Sequence, residues 1–181
     1  MAYIIGQILG YLASGVCLIY PFLKKKWMML VASGLANGLV SINYLLIGKL
    51  GSAIFITSLA VIQNLVSLYH ITKETKIPTW ERLIFLGLYI IIGIYGMVSL
   101  PGFVPGINIK NAIELLPIIG SILFTLAVFT RSEQITRIYT LSNAVVWLIY
   151  NIIAGSSSFL SQVFTIVSTV IALFAYRNEN K

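Results

Sequence analysis

The sequence predicts an all-α integral membrane protein of seven transmembrane helices, and three observations carry that prediction. Of 181 residues, 59% are hydrophobic and only 9% are charged, with no Asp at all. A soluble domain carries about 25% charged residues, so this chain has too few to cover a globule of its size. The apolar residues form seven runs, at roughly residues 3–23, 27–47, 50–71, 83–100, 112–130, 135–154 and 158–176. The basic residues fall between those runs rather than in one patch, so the net charge of +7 points to membrane topology and not to nucleic acid.

Each run is long enough to approach the roughly 20 residues that cross a hydrocarbon core. Backbone groups in lipid must be satisfied within their own segment, which makes the runs helices and not strands. Lys24-Lys25-Lys26 forms a short loop after the first run, and Gly48–Gly51 and Gly155–Ser157 punctuate later ones. Pro101-Gly102 and Pro105-Gly106 mark the longer loop as a pair of turns. Asn111 with Glu114 three residues on reads as a capping pair opening the fifth helix. The N-terminus lacks the positive charge that precedes the apolar run of a signal peptide.

With seven spans, Lys49 and Lys110 fall on one side and the other ten of the twelve Lys and Arg residues on the opposite side. That asymmetry predicts an outside N-terminus and a cytoplasmic C-terminus. Trp27 and Trp80 then mark cytoplasmic helix ends.

An internal repeat organises the chain. Ile4-Ile5-Gly6-x-Ile8-Leu9-x-x-Leu12-Ala13 recurs as Ile118-Ile119-Gly120-x-Ile122-Leu123-x-x-Leu126-Ala127. Asn37, Val40, Tyr44, Ile47 and Ser52 recur 106 residues later as Asn143, Val146, Tyr150, Ile153 and Ser158. The expected division is a first three-helix bundle over residues 1–72, a linker helix and outer loop over 73–110, and a second bundle over 111–181. The extra crossing makes the repeats parallel, related by an axis along the membrane normal.

Two polar stripes stand out. Asn37, Ser41 and Tyr44 share one face of the second helix, and Asn143, Trp147 and Tyr150 repeat it on the sixth. Such a stripe either bonds helix to helix or lines a pocket, and its recurrence in both halves favours the pocket. Trp147 lies deep in its helix, away from the interface that usually anchors Trp, where an indole suits stacking on a ring. Thr57 and Gln162 add polar groups to the third and seventh helices. Gly6, Gly10, Gly34 and Gly38 read as points of close helix approach. A single His70 and a single Cys17 leave no His/Cys metal cluster, and neither a carboxylate pair nor a catalytic triad lies within the runs. No cofactor and no enzymatic activity are expected, and the expected partners are the lipid bilayer and a small solute, with oligomeric state open.

The chain resembles the SWEET and PQ-loop superfamily of small-solute carriers. Ile5-Gly6 through Ser14 to Pro21-Phe22 and the lysines looks like that superfamily's first helix, with Phe22 where it has Gln; Trp147-Leu148-Ile149-Tyr150 looks like its W-x-x-Y segment. Within it, Glu114-Leu115-Leu116-Pro117-Ile118-Ile119-Gly120 and Trp147 to Gly155 are similar to the YgjV-type bacterial inner-membrane proteins. The resemblance implies a 3+1+3 SWEET-like arrangement and an inner-membrane location. It also implies a substrate pocket built from Asn37, Ser41, Tyr44, Thr57, Asn143, Trp147, Tyr150 and Gln162. A SWEET-like carrier's Trp pair falls at Ser41 and Trp147, and its Asn pair near Thr57 and Gln162, so the pocket stays polar and uncharged while its sugar-binding groups change. The function implied is facilitated movement of a small neutral polar solute, such as a sugar or nucleoside-like compound. The alternative is a non-transporting receptor or assembly factor on the same bundle.

Overall fold

The computed structural model describes residues 1–46, 52–99, 105–106, 109–153 and 159–176. These residues are helical throughout their regular structure, with no strand among them. The elements are α1 (Ala2–Ile19), α2 (Lys26–Leu46), α3 (Ser52–Thr72), α4 (Thr79–Val98), α5 (Ile109–Glu114), α6 (Leu116–Phe129), α7 (Glu133–Ile153) and α8 (Phe159–Ala175). A 3-10 turn over Tyr20–Phe22, with Pro21 in its first turn, closes α1.

Seven of these helices are long, and three, Ala2–Phe22, Ile54–Thr72 and Thr79–Val98, have both the length and the apolarity of a membrane span. Helices α6 and α8 are apolar but shorter. Helices α2 and α7 run for 21 residues each and carry the polar stripes, together with Lys26 in one and Glu133 and Arg137 in the other.

Two boundaries differ from expectation for local reasons. The fifth run is two helices, broken at Leu115. Pro117 has no N–H to give the carbonyl four residues before it. Leu115 N bonds Ala112 O at 3.3 Å in a tighter turn before α6 resumes with Ile119 N on Leu115 O at 3.1 Å. Because α5 starts at Ile109, Asn111 lies inside it rather than at its cap, and the side chains of Asn111 and Glu114 are outside the described residues. The fourth helix starts early, at Thr79 behind an extended Pro78, and so takes in Glu81 and Arg82.

Packing follows the repeat. Helix α2 packs on α1 and α3, and α7 packs on α6 and α8. Between these groups α1 meets α8 and α3 meets α6, while α4 packs on both α3 and α6. A β-carbon at Gly93 would run into the Ile118 side chain, so glycine is what lets α4 approach α6. The smaller contacts at Gly34 and Gly38, 3.5 and 3.9 Å, are ordinary packing. An apolar cluster including Leu30, Ile56, Phe85, Tyr89 and Phe129 fills the space between α2, α3, α4 and α6. Within it the Phe85 and Phe129 rings meet edge to face at 5.6 Å.

Burial is inverted relative to a water-soluble protein. Among the described residues, buried polar and charged side chains outnumber buried hydrophobic ones. Leu83, Ile84, Ile91, Ile94, Tyr95 and Val98 of α4 point outward, and α1 exposes Ile4, Ile8, Tyr11 and Leu12. Water would penalise such a belt, whereas hydrocarbon solvates it and leaves polar groups to pair inside.

Candidate functional site

A cavity of about 100 Å³ lies among α2, α3, α4, α6, α7 and α8. A space of roughly 10–15 Å³ holds one water, so this cavity holds several. Five residues expected from the sequence line it: Asn37, Thr57, Asn143, Trp147 and Gln162. Three do not. Ser41 turns to α3 and shares a 2.7 Å hydrogen bond with Ser58, the helix-bonding role. Tyr150 backs the wall, its ring edge-on to Trp147 at 5.7 Å. Tyr44's side chain lies outside the described residues.

Six further residues complete the wall: Ile56, Ala60, Tyr89, Ser121, Phe124 and Asn151. No Asp, Glu, Lys, Arg or His is among the described residues that line it, and these offer hydrogen bonds without a net charge. Asn37 donates to Ser33 O at 2.9 Å, which anchors its amide along its own helix. Thr57 donates to Ile54 O at 3.2 Å and Ser121 to Pro117 O at 2.8 Å. Asn143 is different: its buried Oδ1 has no hydrogen-bond partner among the described residues. Leaving a buried acceptor unpaired costs about 1–3 kcal/mol, a cost that only a missing partner would relieve. Tyr89, fully buried on α4, donates to Gln63 Oε1 at 2.9 Å and so brings the linker helix into the wall.

The indole of Trp147 is held by a residue the stripe did not single out. A β-carbon at Gly120 would lie 2.6 Å from Trp147 Nε1, 2.9 Å from its Cδ1 and 3.2 Å from Asn143 Oδ1. Gly120 thus provides the slot in α6 that receives both side chains. Its place in the repeat, opposite Gly6, was the available signal.

Toward the end of the bundle where α2 and α7 begin, polar contacts join the two groups of helices. Lys26, 5% exposed, gives hydrogen bonds of 2.6 Å to Ala127 O and to Thr136 Oγ1. Ser67 caps Val128 O at 2.9 Å. Reciprocally, Arg137 Nε reaches Pro21 O at 2.9 Å and its Nη2 reaches Leu23 O at 3.1 Å. Its guanidinium lies 4.7 Å from the centre of the Tyr176 ring, and Tyr176 donates to Phe22 O at 3.1 Å. Tyr20 and Thr140 share a 2.9 Å bond, and Arg131 donates to Thr75 O. Each carbonyl end, that of α1 and that of α6, is therefore capped by side chains from the opposite half. This basic end also holds His70, paired to Glu81 at 2.9 Å and to Thr75 at 2.7 Å. Lys26 was expected in a solvated loop; the helix begins one residue earlier and buries it.

The family model for Imp-YgjV, a bacterial inner membrane protein, matches residues 4–181. The chain belongs to the Imp-YgjV family. No curated protein and no solved structure matches it. Membership accounts for the inverted burial: this Imp-YgjV chain is a helical protein of the bacterial inner membrane, and its exposed apolar belt faces lipid. Within that belt the uncharged cavity is the feature with the geometry of a binding site, since its polar groups converge on open volume.

Proposed function

We propose that this Imp-YgjV protein is a facilitator that carries a small neutral polar solute, such as a sugar or nucleoside-like compound, across the inner membrane by alternating access. In this reading it crosses the bilayer seven times in a 3+1+3 SWEET-like plan, N-terminus outside and C-terminus cytoplasmic. The observation that carries the reading is the cavity lined from both halves by amides, hydroxyls and one indole, with no charged group among its described residues. Uncharged donors and acceptors match hydroxyl-bearing solutes, and the Trp147 face matches a ring.

The helix contacts support two related halves. Exchanging α1, α2 and α3 for α6, α7 and α8 turns the α1–α8 contact into the α6–α3 contact, and both are present. The cavity lies where those halves meet, the position at which a rocking motion would expose it to either side in turn.

Counterflow in proteoliposomes tests the proposal. Vesicles loaded with unlabelled sugars, nucleosides or amino acids are given the labelled solute outside, and transient accumulation is expected for at least one class. A solute that binds purified protein yet never exchanges would instead favour a receptor or assembly factor built on the same bundle.

A further inference from the structure

Two more cavities continue the first toward the basic end. One, of about 10 Å³, is lined by Tyr20, Lys26, Ser33, Asn64, Thr136 and Thr140 among others, and Phe124 lines both it and the upper cavity. The other is an open groove of about 540 Å³ walled by Lys24, Lys25, Trp27, Glu74, Arg131 and Glu133, and Lys26 lines both this groove and the small cavity. Phe124 thus borders the first two spaces and Lys26 the last two.

The middle cavity has the chemistry of a site rather than of a packing defect. Asn64 is 2% exposed; its Nδ2 bonds Ala60 O at 2.9 Å and Ser33 Oγ at 3.3 Å, while its Oδ1 has no partner among the described residues. Lys26 is costlier still. An ammonium taken out of water needs strong compensation, and its two bonds go to neutral oxygens. Lys is also a point charge on a flexible stem, able to swing into the groove it already borders. Arg137, with two nitrogens on the carbonyls after α1 and its plane against Tyr176, is a fixed clamp by comparison.

We propose that these three cavities form one solute path, with Phe124 as the partition between its upper and middle stages. Lys26 is its removable inner latch, and its charge passes neutral or anionic solutes and rejects cations. The proposal rests on the transport reading above, and it assigns Lys26 a positioning and selecting role that a structural cap would lack.

Thiol accessibility tests it without a known solute. Ser33→Cys is placed in the middle cavity in a Cys17→Ser background, and vesicles exposing the basic end are treated with anionic or cationic methanethiosulfonate. Each rate is divided by that reagent's rate with a free thiol. With Lys26 present, the anionic reagent should react about tenfold faster than the cationic one, as expected for one unscreened charge nearby. Lys26→Gln should raise both rates and lower their ratio to whatever preference the other groove charges set, and Lys26→Arg should keep the ratio. If Lys26→Gln fails to fold, the ratio with Lys26 in place still decides, since equal rates or a cationic preference would overturn the filter. Unchanged rates in a folded Lys26→Gln protein would overturn the latch. Counterflow with labelling indifferent to Lys26 would remove this proposal alone. No counterflow with any solute, alongside labelling that responds to Lys26, would remove transport and leave the latch.

Discussion

Trp147 and Gly120 form a lock between α7 and α6: the indole fills the space a β-carbon would need, 2.6 Å from Nε1. One side chain thereby fixes the wall of the cavity, and Asn143, 3.2 Å from the same point, is held beside it. Gly120→Ala should therefore displace the indole into the cavity. Overpacking of this kind costs about 1–3 kcal/mol, so a modest fall in melting temperature is expected together with lost solute binding. Unaltered binding in Gly120→Ala would mean that the indole's position does not shape the site.

Asn143 separates pocket from adhesion by the sign of a stability change. Its Oδ1 is buried and unpaired, so Asn143→Leu removes a cost of about 1–3 kcal/mol rather than a bond. The melting temperature should hold or rise while solute binding is lost. A clear fall in melting temperature would return Asn143 to helix-bonding.

The class of the fold was legible because lipid reverses the rule for surfaces, and apolar runs report directly on which segments it solvates. The stripe on α2 and α7 led to Asn37, Asn143 and Trp147 because residues one turn apart share a face whatever the tertiary structure. Ser41 and Tyr150 share that stripe yet miss the cavity, since the width of a face does not say where a neighbouring helix covers it. Tyr89 escaped notice because α4 carries no Asn, Gln or charge within its apolar run and was read as outside both halves. Phe124 looked like any apolar residue of α6. Lys26 counted correctly toward the charge asymmetry, but its burial depends on where α2 starts and on the α6 carbonyls above it. Pro117 did signal the break at Leu115; the continuous apolar run hid it.

Topology can be read across one helix. Pro105 and Lys73 are both exposed and flank α4, a segment with the length and apolarity of a span. In a Cys17→Ser background, a cysteine at Pro105 should react with an impermeant reagent added to intact cells. One at Lys73 should react only after the inner face is exposed. Labelling of both from one side would contradict the seven-span plan.

Flux should not require a proton gradient, because no carboxylate or imidazole is among the described residues lining the cavity. Final accumulation in vesicles should be equal with a pH gradient and with that gradient collapsed by an ionophore. Uphill accumulation abolished by the ionophore would overturn the facilitator. Its further loss in Glu114→Gln or Lys26→Gln would name the coupling group.

The most direct measurement is counterflow through Trp147→Ala in proteoliposomes, with melting temperature recorded on the same preparation. A Trp-to-Ala change in a well-packed core typically costs about 3–5 kcal/mol. Trp147 borders open volume on one side and packs into the Gly120 slot on the other, so the Ala protein should lose counterflow along with some stability, and Trp147→Phe should keep part of the flux. A core-sized loss of stability with counterflow retained in the surviving Trp147→Ala protein would contradict the account.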